Sequence, residues 1–113
     1  MKSFWRYEMV ARVTLAEFDT VRMSIDAAVE LYKESVVPEL QQQRGYEGVY
    51  VLANPNGKLL TMTFWESEEA AEAGISSGYY TAQVEKFVTY FRAPPGRETY
   101  EVALAEMPAA MSG

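Results

Sequence analysis

The segment from Arg44 to Ser67 constrains the fold of this chain more than any other. Arg44-Gly45-Tyr46-Glu47-Gly48 leads into the apolar run Val49-Tyr50-Val51-Leu52-Ala53. Asn54-Pro55-Asn56-Gly57 follows, then a second run, Leu59-Leu60-Thr61-Met62-Thr63-Phe64-Trp65, which ends on Glu66-Ser67. Pro55 fixes φ at the first central turn position, and Gly57 tolerates the positive φ that closes a hairpin. Ser67 is a good N-cap, and Glu68 and Glu69 favour the positive end of the helix it would start. The segment therefore reads as strand, turn, strand, helix cap.

The flanks fit around that hairpin. Glu8 to Leu15 alternates like a strand, and Ala16 to Met23 reads as a loop. Ser24 caps a helix expected over 25–43, with Ile25, Val29, Tyr32, Val36 and Leu40 on one stripe. Pro38 lies inside that helix and is expected to kink it, and Gly45 ends it. A short helix after Ser67 should break between Gly74 and Gly78. A third helix is expected over 79–91, with Tyr80, Val84, Phe87, Val88 and Phe91 buried. Pro94-Pro95-Gly96 stops it, and a last strand over 97–105 places Tyr100, Val102 and Leu104 on one face. Met107 to Gly113 reads as a frayed tail. The order strand, helix, strand, strand, helix, strand is that of a ferredoxin-like α+β fold: a split βαβ with a four-stranded antiparallel sheet, in one domain over residues 1–106.

The strands do not alternate cleanly. Leu60, Met62 and Phe64 fall on one side of the third strand, and Leu59 and Trp65 on the other. Tyr46, Tyr50 and Leu52 of the second strand oppose Val49, Val51 and Ala53. Both sheet faces need cover, and helices cover one. The simplest cover for the other is a second copy of the chain, so a homodimer through sheet-to-sheet packing is expected.

Composition narrows the chemistry. The 113 residues carry a net charge of −6, with no basic run, which excludes the footprint of a nucleic-acid binder and of a protein drawn to anionic membrane. There is no Cys and no His, so thiolate nucleophiles, disulfides, imidazole bases and the common metal and haem ligands are all absent. No carboxylate pair, phosphate loop or metal motif appears. The N-terminal residues lack a signal-peptide apolar core, and no apolar run reaches the roughly 18 residues of a membrane span, so the cytoplasm is the default location.

Gly45-Tyr46-Glu47-Gly48, the hairpin, and Phe64-Trp65-Glu66-Ser67 together resemble the antibiotic biosynthesis monooxygenase family, over roughly residues 8 to 105. The resemblance implies a dimeric α+β barrel. It also implies cofactor-independent oxygenation of phenols to quinones, haem degradation, or isomerase activity, each known among family members. Haem-degrading members and some isomerases depend on a His that this chain lacks. The strand Asn of several oxygenases has no match either: Asn54 and Asn56 both sit in the turn, and the strand offers Thr61 and Thr63.

The resemblance makes Trp65 the first site candidate, as a pocket wall or stacking surface. The plainer reading is that it fills the gap between sheet and helix. Arg12, inside an apolar strand, suits a phenolate or an anionic intermediate, or else an ion pair such as one with Glu101. Tyr32 suits proton donation into a cavity, or a satisfied core position. Tyr50, Thr61, Thr63 and Tyr80 are candidate substrate contacts, with Tyr79 a weaker one. Glu66 to Glu72 reads as a solvated helix end. Two functions follow: a metal- and flavin-free monooxygenase acting on a small aromatic or quinol substrate, or a non-catalytic dimeric barrel that binds a small hydrophobic molecule or serves a structural role.

Overall fold

The computed structural model describes residues 9–106. Four strands, β1 (Val10–Glu17), β2 (Tyr46–Ala53), β3 (Lys58–Trp65) and β4 (Gly96–Glu101), form one antiparallel sheet in the order β2-β3-β1-β4. That order, with both helical segments between strands on one side, is the ferredoxin-like α+β plan. The hairpin between β2 and β3 forms as its turn residues require: Gly57 has φ +95°, and a Cβ there would meet the Phe18 carbonyl at 3.0 Å. The expected tail lies outside the described residues.

The first helical segment starts where Ser24 accepts a hydrogen bond from the Ala27 amide at 3.1 Å. It consists of α1 (Ile25–Leu31), a π-helical turn (Tyr32–Val36) and α2 (Val37–Leu40). The proline effect differs from a simple kink. The Val37 amide reaches back to the Tyr32 carbonyl, a π-type bond just ahead of Pro38. Widening the turn there eases the clash that a proline ring makes with the preceding turn. The segment stops at Leu40, short of Gln43, and turns lead to Gly45. Gly45 has φ +84°, and a Cβ on it would sit 2.6 Å from the Ala70 Cβ. A side chain there would collide with the next helix, which explains the glycine in the signature segment.

On the C-terminal side, Ser67 caps α3 (Glu68–Ser76), which runs through Gly74 and breaks only at Gly78. The expected third helix is shorter: α4 (Tyr79–Glu85) gives way to a 3₁₀ turn (Val88–Tyr90). The register changes there, so Val88 is exposed at 55%; within α4 itself Gln83 takes a buried place on the stripe. β1 extends two residues past its expected end, and Phe18 beyond it is buried and bridged to Phe91. β4 ends at Glu101, earlier than expected, and Leu104 is exposed.

One parity expectation fails for a clear reason. A β-bulge between Tyr46 and Gly48 shifts the β2–β3 register. It turns Tyr46 onto the helix-covered face, where its ring meets Trp65 edge-on at 5.8 Å, away from Tyr50 and Leu52.

Candidate functional site

The sheet's inner face and the helices enclose a cavity of about 70 Å³. Arg12, Thr14, Thr61, Thr63 and Trp65 line its sheet side; Tyr32, Val36 and Leu40 come from the first helical segment, and Tyr79, Tyr80 and Gln83 from α4. Strand alternation explains the set: Arg12 and Thr14 on β1, and Thr61, Thr63 and Trp65 on β3, are spaced by two. Registry then places Arg12 opposite Thr63. Phe18, Phe87 and Phe91 pack edge-on or stacked at one end.

Arg12 is the most unusual of these groups. It is only 2% exposed, yet the ion pairs among the described residues are Arg22–Asp19 and Lys86–Glu39. No ion pair among the described residues joins Arg12 to Glu101, which lies further along β4, opposite Val10, while Arg12 faces Thr99. The guanidinium instead donates Nη2–H to the Ala71 carbonyl and lies 5.6 Å from the Trp65 ring centroid and 5.4 Å from that of Tyr80. Its Nε–H has no partner among the described residues. Burial pulls its pKa down, opposed mainly by the field of Tyr80, but an arginine starts so high that it stays a cation.

The threonines hold the aromatic residues in place. Thr63 accepts the Trp65 indole N–H at 2.9 Å, so that N–H is occupied within the wall. Thr61 faces the Tyr32 hydroxyl and slightly opposes the rise in its pKa. Thr14 and Tyr80 share a hydrogen bond of 2.9 Å, and Arg97 of β4 sits over the Tyr80 ring at 4.9 Å. Burial, chiefly, pushes the hydroxyls of Tyr32 and Tyr79 far above the usual tyrosine range, so both are protonated donors rather than bases.

The structure thus gathers Arg12, Tyr32, Thr61, Thr63, Trp65, Tyr79 and Tyr80 around one space. Tyr50 is not among them: it lies on the opposite face, edge-on to Phe64. Gln83 was not legible as a site residue, because a lone Gln inside an amphipathic helix carries no motif. Its one sequence signal was a polar residue among the apolar positions of α4.

Burial and orphaned polar atoms single out the same space. Three buried side-chain polar atoms have no partner among the described residues: Arg12 Nε, Tyr79 Oη and Gln83 Oε1. All three belong to residues that line the cavity. Native interiors leave few polar atoms unsatisfied, and each calls for an explanation. Beyond Tyr80, Val84 and Pro95, which border both spaces, lies a more open pocket of about 370 Å³ that also touches Arg97. No described helix is long and apolar enough to cross a membrane, and no described cluster of acidic residues could hold a metal ion.

Solved structures share this architecture. A protein of unknown function from Nitrosomonas europaea is 19% identical, with a TM-score of 0.69 over 89% of this chain and 95% of that one. A monooxygenase from Streptomyces coelicolor, solved with nanaomycin D, is 20% identical, with a TM-score of 0.66 over 92% and 95% of the two chains. SnoaB from Streptomyces nogalater, a cofactor-independent oxygenase, is 10% identical, with a TM-score of 0.65 over 90% and 97%. At these identities the likeness speaks for fold. No functionally curated protein matches the sequence significantly. The sequence profile of one family does match, over residues 12–86, a stretch that runs from the cavity's arginine to the lysine just past α4. By that match the chain belongs to the antibiotic biosynthesis monooxygenase family.

Proposed function

We propose that this protein is a cofactor-independent monooxygenase that oxidises a small phenolic or quinol-type aromatic to a quinone. The observation that carries the proposal is the buried Arg12, which makes no ion pair among the described residues, in a cavity walled by Trp65 and Tyr80. A cation held this way lowers the pKa of a phenol beside it and stabilises the phenolate, the electron-rich form that reacts with O₂. One oxygen atom then enters the ring, and the other leaves as water with the phenolic hydrogen and the displaced ring hydrogen. No side chain in the cavity has to carry electrons. Tyr32 and Tyr79 donate hydrogen bonds, and the walls exclude water and orient the ring.

The cavity as it stands is smaller than the roughly 150 Å³ that accommodates benzene. A ring therefore needs the inner and outer spaces to join, and the shared Tyr80 wall is where they would. Displacing Tyr80 breaks its Thr14 hydrogen bond and its ring contacts with Arg97 and Arg12, and each costs about 1 kcal/mol. Ligand binding offsets a cost of that size.

The active unit in this reading is a homodimer. Leu15, Tyr50, Leu52 and Tyr100 are each more than 40% exposed on the face away from the helices. Pairing two such faces buries a few hundred Å² of apolar surface per chain, on the order of 10 kcal/mol before association costs.

The test is oxygen uptake with a panel of anthrones, naphthols and hydroquinones, run on wild type, Trp65→Phe and Arg12→Met. Arg12→Met should lower kcat/KM by about 100-fold or more, as loss of a transition-state charge partner does. The substitution also removes the hydrogen bond to the Ala71 carbonyl, so urea unfolding of the variant separates loss of activity from loss of fold. Absence of turnover by wild type across the panel would sink the proposal.

A further inference from the structure

Gln83 is 7% exposed and lines the cavity, and its amide orientation follows from its neighbours. Its Nε2 lies 2.9 Å from Oε1 of Glu39. Lys86 Nζ donates to the other oxygen of that carboxylate at 2.7 Å and to the Ser35 carbonyl at 3.0 Å. The hydrogen bonds from Lys86 and Gln83 hold the Glu39 carboxyl below its ordinary pKa, so it is ionised and accepts only. The Gln83 NH₂ must therefore point at Glu39, and its carbonyl oxygen must be the atom left without a partner among the described residues, on a side chain that lines the cavity. The chain Lys86–Glu39–Gln83 starts at the surface and ends on a buried acceptor without a donor.

The other two orphaned atoms can donate. Arg12 Nε–H only donates, and the Tyr79 hydroxyl, which stays protonated, both donates and accepts. The cavity thus carries a cationic donor and a neutral acceptor that need different groups on one ligand. We propose that Gln83 is a specificity-determining residue, selecting an aromatic ring that carries a free hydroxyl in addition to the anionic oxygen held by Arg12: the monoanion of a dihydroxyarene. Glu39 and Lys86 act as positioning residues, since they fix which end of the Gln83 amide meets the ligand. This inference rests on the phenolate reading above and adds the second polar group.

The experiment is anaerobic calorimetric binding of dihydroxynaphthalene isomers, each compared with its monomethyl ether, to wild type, Gln83→Leu and Glu39→Ala. A buried acceptor left unpaired rejects the ligand that cannot donate. For wild type, the best diol should bind at least about 10-fold tighter than its ether, the ratio expected from one unpaired buried group. Gln83→Leu should shrink the ratio to within about 3-fold, because the acceptor is gone. Glu39→Ala frees the amide to turn its NH₂ inward. Affinity for the ethers should then rise while that for the diols falls, an inversion that simple loosening of α4 would not produce. Equal binding of diol and ether to wild type, or a ratio that survives Gln83→Leu, overturns the role of Gln83 and leaves the phenolate reading standing. If no phenol in the panel binds wild type and none supports oxygen uptake, both readings fall together.

Discussion

The two faces of this one sheet each depart from the usual arrangement. The inner face, covered by helices, carries Arg12, Thr14, Thr61 and Thr63 among the apolar Ala16, Leu59 and Trp65. The outer face, which no described helix covers, carries Val13 and Leu15 on β1, Leu60, Met62 and Phe64 on β3, and Tyr50 and Leu52 on β2, in adjoining register. A lone domain would place its polar groups outward and its apolar ones inward. The polar cluster within the core and the apolar strip outside point to two different missing partners. The polar atoms inside call for a small ligand, and the apolar side chains outside call for a protein surface.

The largest expected effect comes from breaking the outer face. Phe64→Glu places a carboxylate at its centre, beside Tyr50. Across a two-fold interface two such charges would meet, at a cost of several kcal/mol. Light scattering should show a dimer for wild type and a monomer for the variant, with the circular dichroism spectrum retained. A wild-type monomer at micromolar concentration would end the outer-face argument, because the exposed strip would then need another explanation.

The contrast between the faces was partly readable in the sequence. The doubled apolar pattern of β3 already assigned Leu60, Met62 and Phe64 to one side and Trp65 to the other, and the structure keeps that parity. The hairpin, the Ser24 and Ser67 caps and the strand order were legible because each depends on local chemistry: turn residues, side-chain caps and period-two alternation. Tyr46 was misplaced because a bulge adds one residue to the count, and nothing in Gly45-Tyr46-Glu47-Gly48 marks where. Tyr50 as a substrate contact followed from aromatic character alone, and parity places it outside. Gln83 could not be found, because its importance arises from Glu39 and Lys86, which are distant from it in sequence or carry no motif. Local order was legible, whereas long-range pairing of polar groups was not.

A smaller effect should sharpen the inner face. Thr63→Val keeps the shape of the wall but removes the acceptor for the Trp65 indole N–H. Leaving that buried donor unpaired should cost about 1–3 kcal/mol, read as a lower urea midpoint with the m-value unchanged. The same substitution at Thr14, whose partner Tyr80 is only part-buried and can turn to water, should cost less than 1 kcal/mol or so. Equal costs at the two sites would show that the inner wall near Trp65 is open to water, and would weaken its reading as a dry substrate surface.

The smallest effect concerns the tyrosines and pH. Burial, the leading cause, raises the folded-state pKa of Tyr79 above its unfolded value of about 10, and Tyr32 behaves likewise. The folded state then holds those protons more tightly than the unfolded state does. The stability they contribute is intact below pH 10 and is lost as pH rises toward the folded pKa, by up to about 1.4 kcal/mol per pH unit for each tyrosine. Urea midpoints measured at pH 8, 10 and 11 should therefore fall over the last interval. Tyr79→Phe should flatten that fall. At pH 8 it should leave stability unchanged or slightly higher, because the hydroxyl it removes has no partner. A Tyr79→Phe variant that is clearly less stable at pH 8 would mean that the hydroxyl is satisfied in solution. The inner face would then hold two orphaned polar atoms, Arg12 Nε and Gln83 Oε1, and those are the donor and the acceptor on which the ligand argument turns.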